Sequence, residues 1–590
     1  MRSLKLCLTS SVIMLSLAGA LAMGGCHSPT VTVIAMADTH GALEPYEATT
    51  LNGEKVQYGG AALMAAYVKV LRDHASGPVV LLDAGDMFQG TLVSNTVEGE
   101  PVVRFYNRLG VDAAALGNHE FDYGPEGEDS VPKHPGEDPR GALKERIREA
   151  RFPVLAANVV DETGQTPSWL KRSILIERGG IKIGIVGAAT IETPYTTVRA
   201  NLTGLTFLDP VDPVKNEALE LRRRGATFVL LTSHIGGECS DNSPEKVDDL
   251  STCSNDELFK LLNKLPTGLI DAAVGGHTHQ AITKRVNGTA VLQPWAQAKY
   301  VSWVELSRDD VKVKSVLHGP INLCGSVVPD PRGGTTCNSG VVAKSKDPVT
   351  PAVFRDETIR PDRPVVKLLQ PDFDRVKAIK ETPLGVSALD EFTRDYGGES
   401  AMGNLVADLM QAFPDDSAPE VGLTNNGGVR DNLSAGPLKY GHVFNVLPFD
   451  NRLAIMTVNG RTLKRIVEMG VRATGGGLSW SNLTYVASHC QVLSVLIKGQ
   501  PLDESKTYRI MTNDYLATGG SGFNELNLTA DQVQLKDDAP PLRDAAVTVL
   551  KTWNHDIASG DFYDRQHPRQ DVQAPCTAAD LAALQPNNGH

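Results

Sequence analysis

Six short apolar runs recur through the first half of the chain, and five of them are followed at once by aspartate, asparagine or histidine. The runs are Val31–Met36, Val79–Leu82, Ala113–Leu116, Ile181–Val186, Phe228–Leu231 and Ile270–Val274. Unbroken apolarity fits strands buried on both faces, and the stretches between them carry helical spacing. Such alternation predicts an α/β layered domain in which β-sheets are flanked by helices. The polar endings are Asp38-Thr-His40, Asp83-Ala-Gly-Asp86, Gly117-Asn118-His119-Glu120-Phe-Asp122, Ser233-His234 and Gly276-His277-Thr-His279. Any one of them alone is an ordinary turn. In an open α/β sheet, however, the carboxyl ends of the strands face one crevice, so five such endings predict a shared metal cradle.

Seven candidate ligands result: Asp38, His40, Asp86, Asn118, His234, His277 and His279. One catalytic zinc takes three protein ligands and a water, so this inventory predicts two ions that share the Asp86 carboxylate. Nitrogen and oxygen donors without thiolate suit divalent Zn, Mn, Fe or Co. A pair of such ions lowers the pKa of bound water and neutralises phosphoryl oxygens, which is what phosphoester hydrolysis needs at neutral pH. His119 follows a ligand without being needed as one. With Asp122 three residues on to hold its other ring nitrogen, it is the candidate proton donor, and His119 and Asp122 form the candidate catalytic dyad.

Prolines cluster between Pro348 and Pro371, which predicts a break in regular structure and a linker at 346–375, between a first domain at 28–345 and a second at 376–577. In the second domain Met402, Leu405, Val406, Leu409, Met410 and Phe413 share one helical face, and Leu453–Val458 and Val492–Ile497 read as strands, so an α+β unit is expected. Gly124–Gly141, rich in Gly, Pro, Glu and Asp, reads as a surface insertion.

Arg2 and Lys5, the apolar run Leu6–Ala22 and the small residues before Cys26 predict a signal peptide at 1–25 and lipidation at Cys26. The expected location is therefore periplasmic or at the cell surface, with membrane contact only through that lipid. Of eight cysteines, Cys7 and Cys26 are set apart, and the remaining six are an even set in an exported chain, which favours disulfides. Fifteen pairings are open; short separations favour Cys239 with Cys253 and Cys324 with Cys337, leaving Cys490 with Cys576. The 57 Lys and Arg against 70 Asp and Glu give a net charge of −13, which argues against a nucleic acid polymer as partner.

Taken together, Asp38-x-His40, Gly85-Asp86, Gly117-Asn118-His119-Glu120, His234 and Gly276-His277-Thr-His279 resemble the calcineurin-like metallophosphoesterases, and the whole chain is similar to the exported bacterial 5′-nucleotidases, which include UDP-sugar hydrolases. The resemblance implies Asp38, His40, Asp86 and His279 on one ion, and Asp86, Asn118, His234 and His277 on the other. In the second domain it rests on Asn425-Asn-Gly-Gly-Val-Arg430, Pro448-Phe449-Asp-Asn451 and Tyr515-Leu-Ala-Thr-Gly-Gly-Ser-Gly-Phe523. It implies a 5′-nucleotidase-type substrate domain in which Phe449 and Tyr515 sandwich a nucleobase, Asn425 touches its edge and Arg430 binds the ribose or phosphate region. Two departures stand out: Ser521 fills the place of an acid that contacts ribose, and Tyr396-Gly397-Gly398 precedes Met402-Gly403-Asn404 where an arginine is usual, with Arg394 nearby as a substitute.

The function expected is an exported dimetal phosphohydrolase that releases phosphate from nucleotide-type monoesters by attack of metal-bound hydroxide on a small phosphorylated substrate. The alternatives are the same chemistry on UDP-sugars, cyclic nucleotides or a sulfur ester, or a surface lipoprotein that binds nucleotide without turnover.

Overall fold

A computed structural model describes residues 28–577 apart from 128, 310–311, 473–476 and 537–539, together with 580 and 581. The signal peptide at 1–25 and the lipid site at Cys26 lie outside the described residues. Among the described residues, no helix is long and apolar enough to cross a membrane.

Two six-stranded sheets build the first domain. One has the strand order Val313–Asn322, Tyr300–Arg308, Thr30–Met36, Val79–Asp83, Ala113–Ala115, Val154–Leu155; the other has Ala281–Val286, Thr289–Pro294, Ala272–Val274, Phe228–His234, Ile181–Ala189, Ser173–Arg178. The two-residue period of a strand explains why their sequences are apolar throughout. Val31, Val33, Ala35, Val80 and Leu82 meet Ile183, Ile185, Phe228 and Leu230 between the sheets. Their neighbours Ile34, Met36 and Leu81 pack under the helices Ala61–Asp73 and Glu100–Leu109, while Val229 and Leu231 pack under Val211–Arg223 and Glu257–Lys264. Each large apolar side chain so buried contributes roughly 1.5–3 kcal/mol. Within each sheet the central strands are parallel, Thr30–Met36 with Val79–Asp83 and Ala113–Ala115, and Ile181–Ala189 with Phe228–His234 and Ala272–Val274. The layered α/β expectation holds, with two stacked sheets as its form.

The proline-rich stretch corrects the expectation of broken structure. Its second half enters the helix Arg363–Lys380, with Pro371 inside it. Asp362 caps this helix, its side chain accepting from the Val365 amide at 2.9 Å, and Pro364 sits in the first turn, where a backbone N–H is not needed. Pro371 is exposed, so the carbonyl that it leaves unpaired meets water, while Val365, Leu369, Asp372 and Val376 are buried. Arg104 holds Asp372 at 2.5 Å and Glu44 holds Lys380 at 2.6 Å, fastening the helix to the first domain.

The second domain centres on a five-stranded sheet ordered Leu478–Ser481, Val421–Asn425, Thr507–Asn513, Leu453–Asn459, Val533–Leu535. The expected apolar face, from Met402 to Met410, lies on the helix Ala401–Ala412 and packs with Leu542–Trp553, in the α+β arrangement anticipated. Leu463, Ile466 and Val467 of the helix Gly460–Arg472 pack on a second core with Tyr485 and Val495 of a smaller sheet. Cysteines 239 and 253, 324 and 337, and 490 and 576 form the three disulfides that the spacing favoured. The last closes a separation of 86 residues beside the strand Gln570–Ala574, which pairs in parallel with Leu483–Ser488. Replacing both Cys490 and Cys576 by serine should therefore cost about 2–4 kcal/mol. Thermal unfolding would check this, together with faster amide exchange confined to 570–574 and its partner strand.

Candidate metal centre

Every residue that the sequence marked as a ligand stands at a strand end, and the two sheets contribute jointly. Asp38, His40, Asp86 and Asn118 follow strands of one sheet; His234 ends a strand of the other, and His277 and His279 follow the next. Five of the seven have left-handed backbones: φ is 49° at Asp38 and His40, 53° at Asp86, 74° at His277 and 52° at His279. Such geometry costs a non-glycine residue on the order of 1–3 kcal/mol and persists only where neighbours enforce it. Here the Asp38 amide donates to the Gly85 carbonyl at 3.0 Å, His40 to Asp86 at 2.9 Å, and the His277 amide to Asp38 Oδ1 at 2.9 Å. Glu120, fully buried, accepts from the amides of Asp86, Met87 and Gly117 at 3.0, 2.6 and 2.7 Å and so locks one loop against the next. Gly117 must lack a side chain, since a Cβ there would lie 2.2 Å from Asp86 Oδ1 and 2.4 Å from Glu120 Oε2.

The donor set fits cations. His40 Nδ1 donates to the Gln89 carbonyl at 2.7 Å, which leaves Nε2 as a lone pair 2.9 Å from His279 Nε2. Buried Asp38 Oδ2 has no hydrogen-bond partner. His234 Nδ1 donates to the Ala84 carbonyl at 2.8 Å, so its Nε2 faces Asn118 Oδ1 at 2.9 Å and Asp86 Oδ2 at 3.1 Å. Asn118 is oriented by its own amide, which donates to the Thr196 carbonyl at 3.2 Å. Carboxylates and inward-facing ring nitrogens gathered in a buried space need a proton or a cation among them. Burial pushes the His234 imidazolium down, yet Asp86 and Asp38 outweigh burial and raise it to about 10, a second sign that this point demands a cation. Asp38, His40, Asp86 and His279 bring ligand atoms within 4.8 Å of one another, as do Asp86, His234 and His277, and Asp86 is common to both groups.

His119 stands beside the cluster. Its Nδ1 is 2.6 Å from Asp122 Oδ2, and Thr197 Oγ1 donates to the other Asp122 oxygen at 2.6 Å. Burial lowers the His119 pKa, but the carboxylates of Asp122 and Asp86 outweigh that and raise it above the ordinary histidine value.

A cavity of about 620 Å³ opens on this cluster, and its lining includes Asp86, Asn118 and His119 from the first domain with Asn425, Arg430, Phe449, Tyr515 and Ser521 from the second. Arg430 reaches furthest, its Nη2 3.3 Å from His40 Nε2 and its guanidinium 5.6 Å from the centre of the Phe449 ring. That ring lies 5.3 Å from the His119 ring. Asn425 Oδ1 accepts from Asn513 at 3.1 Å, and Tyr515 donates its hydroxyl to the Tyr195 carbonyl at 2.5 Å across the domain boundary. Arg394 is exposed and outside this lining; Tyr396 occupies the wall instead. Sequence reasoning missed Gln89, Glu192, Tyr195 and Thr197, which lie in loops or, for Tyr195, in the four-residue turn Thr193–Thr196, where no periodicity or motif singles out a residue.

Comparison with known proteins agrees with this geometry. Residues 31–281 match the calcineurin-like phosphoesterase family, and residues 380–527 match the 5′-nucleotidase C-terminal domain. The chain is 26% identical over 533 residues to Protein UshA of Escherichia coli, covering 84% of this chain and 87% of that one. It is 28% identical over 550 residues to a 5′-nucleotidase of Diplobatis ommata, covering 88% and 87%. The crystal structure of a 5′-nucleotidase precursor from Thermus thermophilus aligns with a TM-score of 0.69 at 26% identity, covering 92% of this chain and 99% of that one. Calcineurin-like phosphoesterases and 5′-nucleotidases use two divalent metal ions, and the ligand cluster is dimensioned for two. Because Asp86 belongs to both groups, Asp86→Ala should purify with neither ion at full occupancy and lose most activity, whereas Gly117→Ala, which displaces the same carboxylate, should lower metal content without removing a ligand. Elemental analysis of both proteins is the check.

Proposed function

We propose that this chain, which belongs to the calcineurin-like phosphoesterases with a 5′-nucleotidase C-terminal domain and is a metal-dependent phosphoester hydrolase, is exported and releases phosphate from nucleotide-type monoesters. The observation that carries this reading is the meeting, at one cavity, of the cation-demanding cluster with Arg430, Phe449 and Tyr515 of the second domain. Two divalent ions, one held by Asp38, His40, Asp86 and His279 and the other by Asp86, Asn118, His234 and His277, would supply activation of the nucleophile and neutralise phosphoryl charge.

The remaining steps fall to the protein. Asp122 holds Nδ1 of His119 and favours its charged form, so Nε2 is left to donate a hydrogen bond or a proton where negative charge develops. Arg430, projecting toward the cluster, matches a phosphoryl oxygen pair with its fork of donors. Phe449 and Tyr515 offer flat faces to a base, and Asn425, whose Oδ1 is taken by Asn513, has its amide nitrogen left to donate to a base edge. Ser521, at the wall of the cavity, gives ribose a hydroxyl in place of a carboxylate. Export rests on the Arg2–Ala22 segment and lipid attachment on Cys26; Cys26→Ser should shift the protein from the membrane to the soluble fraction.

A panel of AMP, UDP-glucose, cyclic nucleotides and simple aryl phosphates, ranked by kcat/KM, tests the substrate class. AMP should exceed the aryl phosphates by about 5- to 150-fold if base stacking contributes on the order of 1–3 kcal/mol; equal values would remove the second domain from substrate selection. His119→Ala should lower kcat by roughly 10²–10⁴-fold with metal content unchanged. A matching loss of metal would make His119 a ligand.

A further inference from the structure

One six-residue segment, Glu192–Thr197, touches both the cation cluster and the second domain without supplying a ligand itself. Glu192 Oε2 lies 3.1 Å from Nε2 of His277. The Thr196 carbonyl accepts from Asn118 Nδ2 at 3.2 Å, and Thr197 Oγ1 donates to Asp122 at 2.6 Å. Between them, the Tyr195 carbonyl accepts the Tyr515 hydroxyl at 2.5 Å. The segment is short and tethered. Four of its residues form the helical turn Thr193–Thr196, and Glu257 fixes its base, accepting from Thr190 Oγ1 at 2.6 Å and from the Ile191 amide at 3.2 Å.

Each contact fixes an orientation that the chemistry needs. With Nε2 given to Glu192, His277 has Nδ1 left for a cation, and a carboxylate in this position raises the basicity of the coordinating imidazole. Donation by Asn118 Nδ2 to Thr196 decides which end of the amide faces His234, since amide oxygen and nitrogen are otherwise interchangeable in shape. Thr197 holds the Asp122 carboxylate whose second oxygen holds His119. Tyr515 is a wall of the cavity on the other domain, and its hydroxyl bond is made to the backbone of this same turn.

We propose that Glu192 and Thr197 are positioning residues, and that the turn carrying them links the second domain to the cation centre through the Tyr515 hydroxyl. The proposal rests on the reading of Asn118 and His277 as ligands.

The test uses the full chain, Mn²⁺ alone as probe, and chelator competition to obtain both dissociation constants, with kcat and KM for AMP measured alongside. Glu192→Gln is isosteric and lies on an exposed residue, so the fold is retained. It should weaken one of the two Mn²⁺ ions by about 10–100-fold and leave the other within about twofold. Thr197→Val should leave both affinities unchanged and lower kcat with KM unchanged, because it acts on the dyad alone. Tyr515→Phe keeps the ring and should lower kcat more than it raises KM; combined with Glu192→Gln, the two effects on kcat should fall short of their product. Unchanged or equally weakened Mn²⁺ sites in Glu192→Gln would overturn the positioning role, and effects on kcat that multiply fully would overturn the link. A His277→Ala protein that binds both ions at parental affinity would remove the ligand reading itself, and the proposal with it.

Discussion

Negative charge and lone pairs concentrated in a buried space are the constraint on which the rest of this molecule depends. Asp38 and Asp86 are fully buried, His40 and His234 each give one nitrogen to a backbone carbonyl, and the other nitrogen of each points inward, that of His234 at the Asn118 and Asp86 oxygens and that of His40 at His279 and the Arg430 guanidinium. A cluster of this kind destabilises a fold unless cations enter it, because an unpaired charge removed from water costs several kcal/mol or more. Metal binding and stability are therefore coupled here, and the backbone can hold five left-handed non-glycine residues because the surrounding sheets are rigid enough to enforce them.

That rigidity comes from stacking two sheets. A single sheet would place four of the ligands along one edge; packing a second sheet against it brings His234, His277 and His279 to face them. The apolar layer between the sheets, from Val31 to Leu306, sets the distance at which the two edges meet. Glu120 then ties the loops together through three backbone amides, a role that has no sequence signature beyond its place in the motif.

The second domain approaches the centre at several points. Arg430 crosses to His40, Asn95 Nδ2 donates to the Pro448 carbonyl at 2.9 Å beside Phe449, and Tyr515 meets Tyr195. The helix Arg363–Lys380 connects the domains and is itself packed on the first through Asp372 and Lys380. The walls that the second domain gives the cavity therefore stand directly beside the cation cluster.

Periodicity and punctuation in the sequence determined the buried strands, the apolar face of Ala401–Ala412 and the set of Asp, Asn and His residues standing behind strands, and short separation favoured two of the three cysteine pairs. These are local properties: an apolar run or a ligand at its end is visible within a few residues. The helix over Pro364 and Pro371 was not legible, because whether a proline breaks a helix depends on its turn position and on which face meets water. Nor was the failure of Arg394 to line the cavity, or the meeting of Glu192, Tyr195 and Thr197 with His277, Tyr515 and Asp122, since those partners are separated by long stretches of chain. The sequence alone determined which side chains could bind cations; only the tertiary structure decided which ring nitrogen and which carboxylate oxygen points where. Orientation is set by hydrogen bonds between segments that meet only after the two sheets have packed.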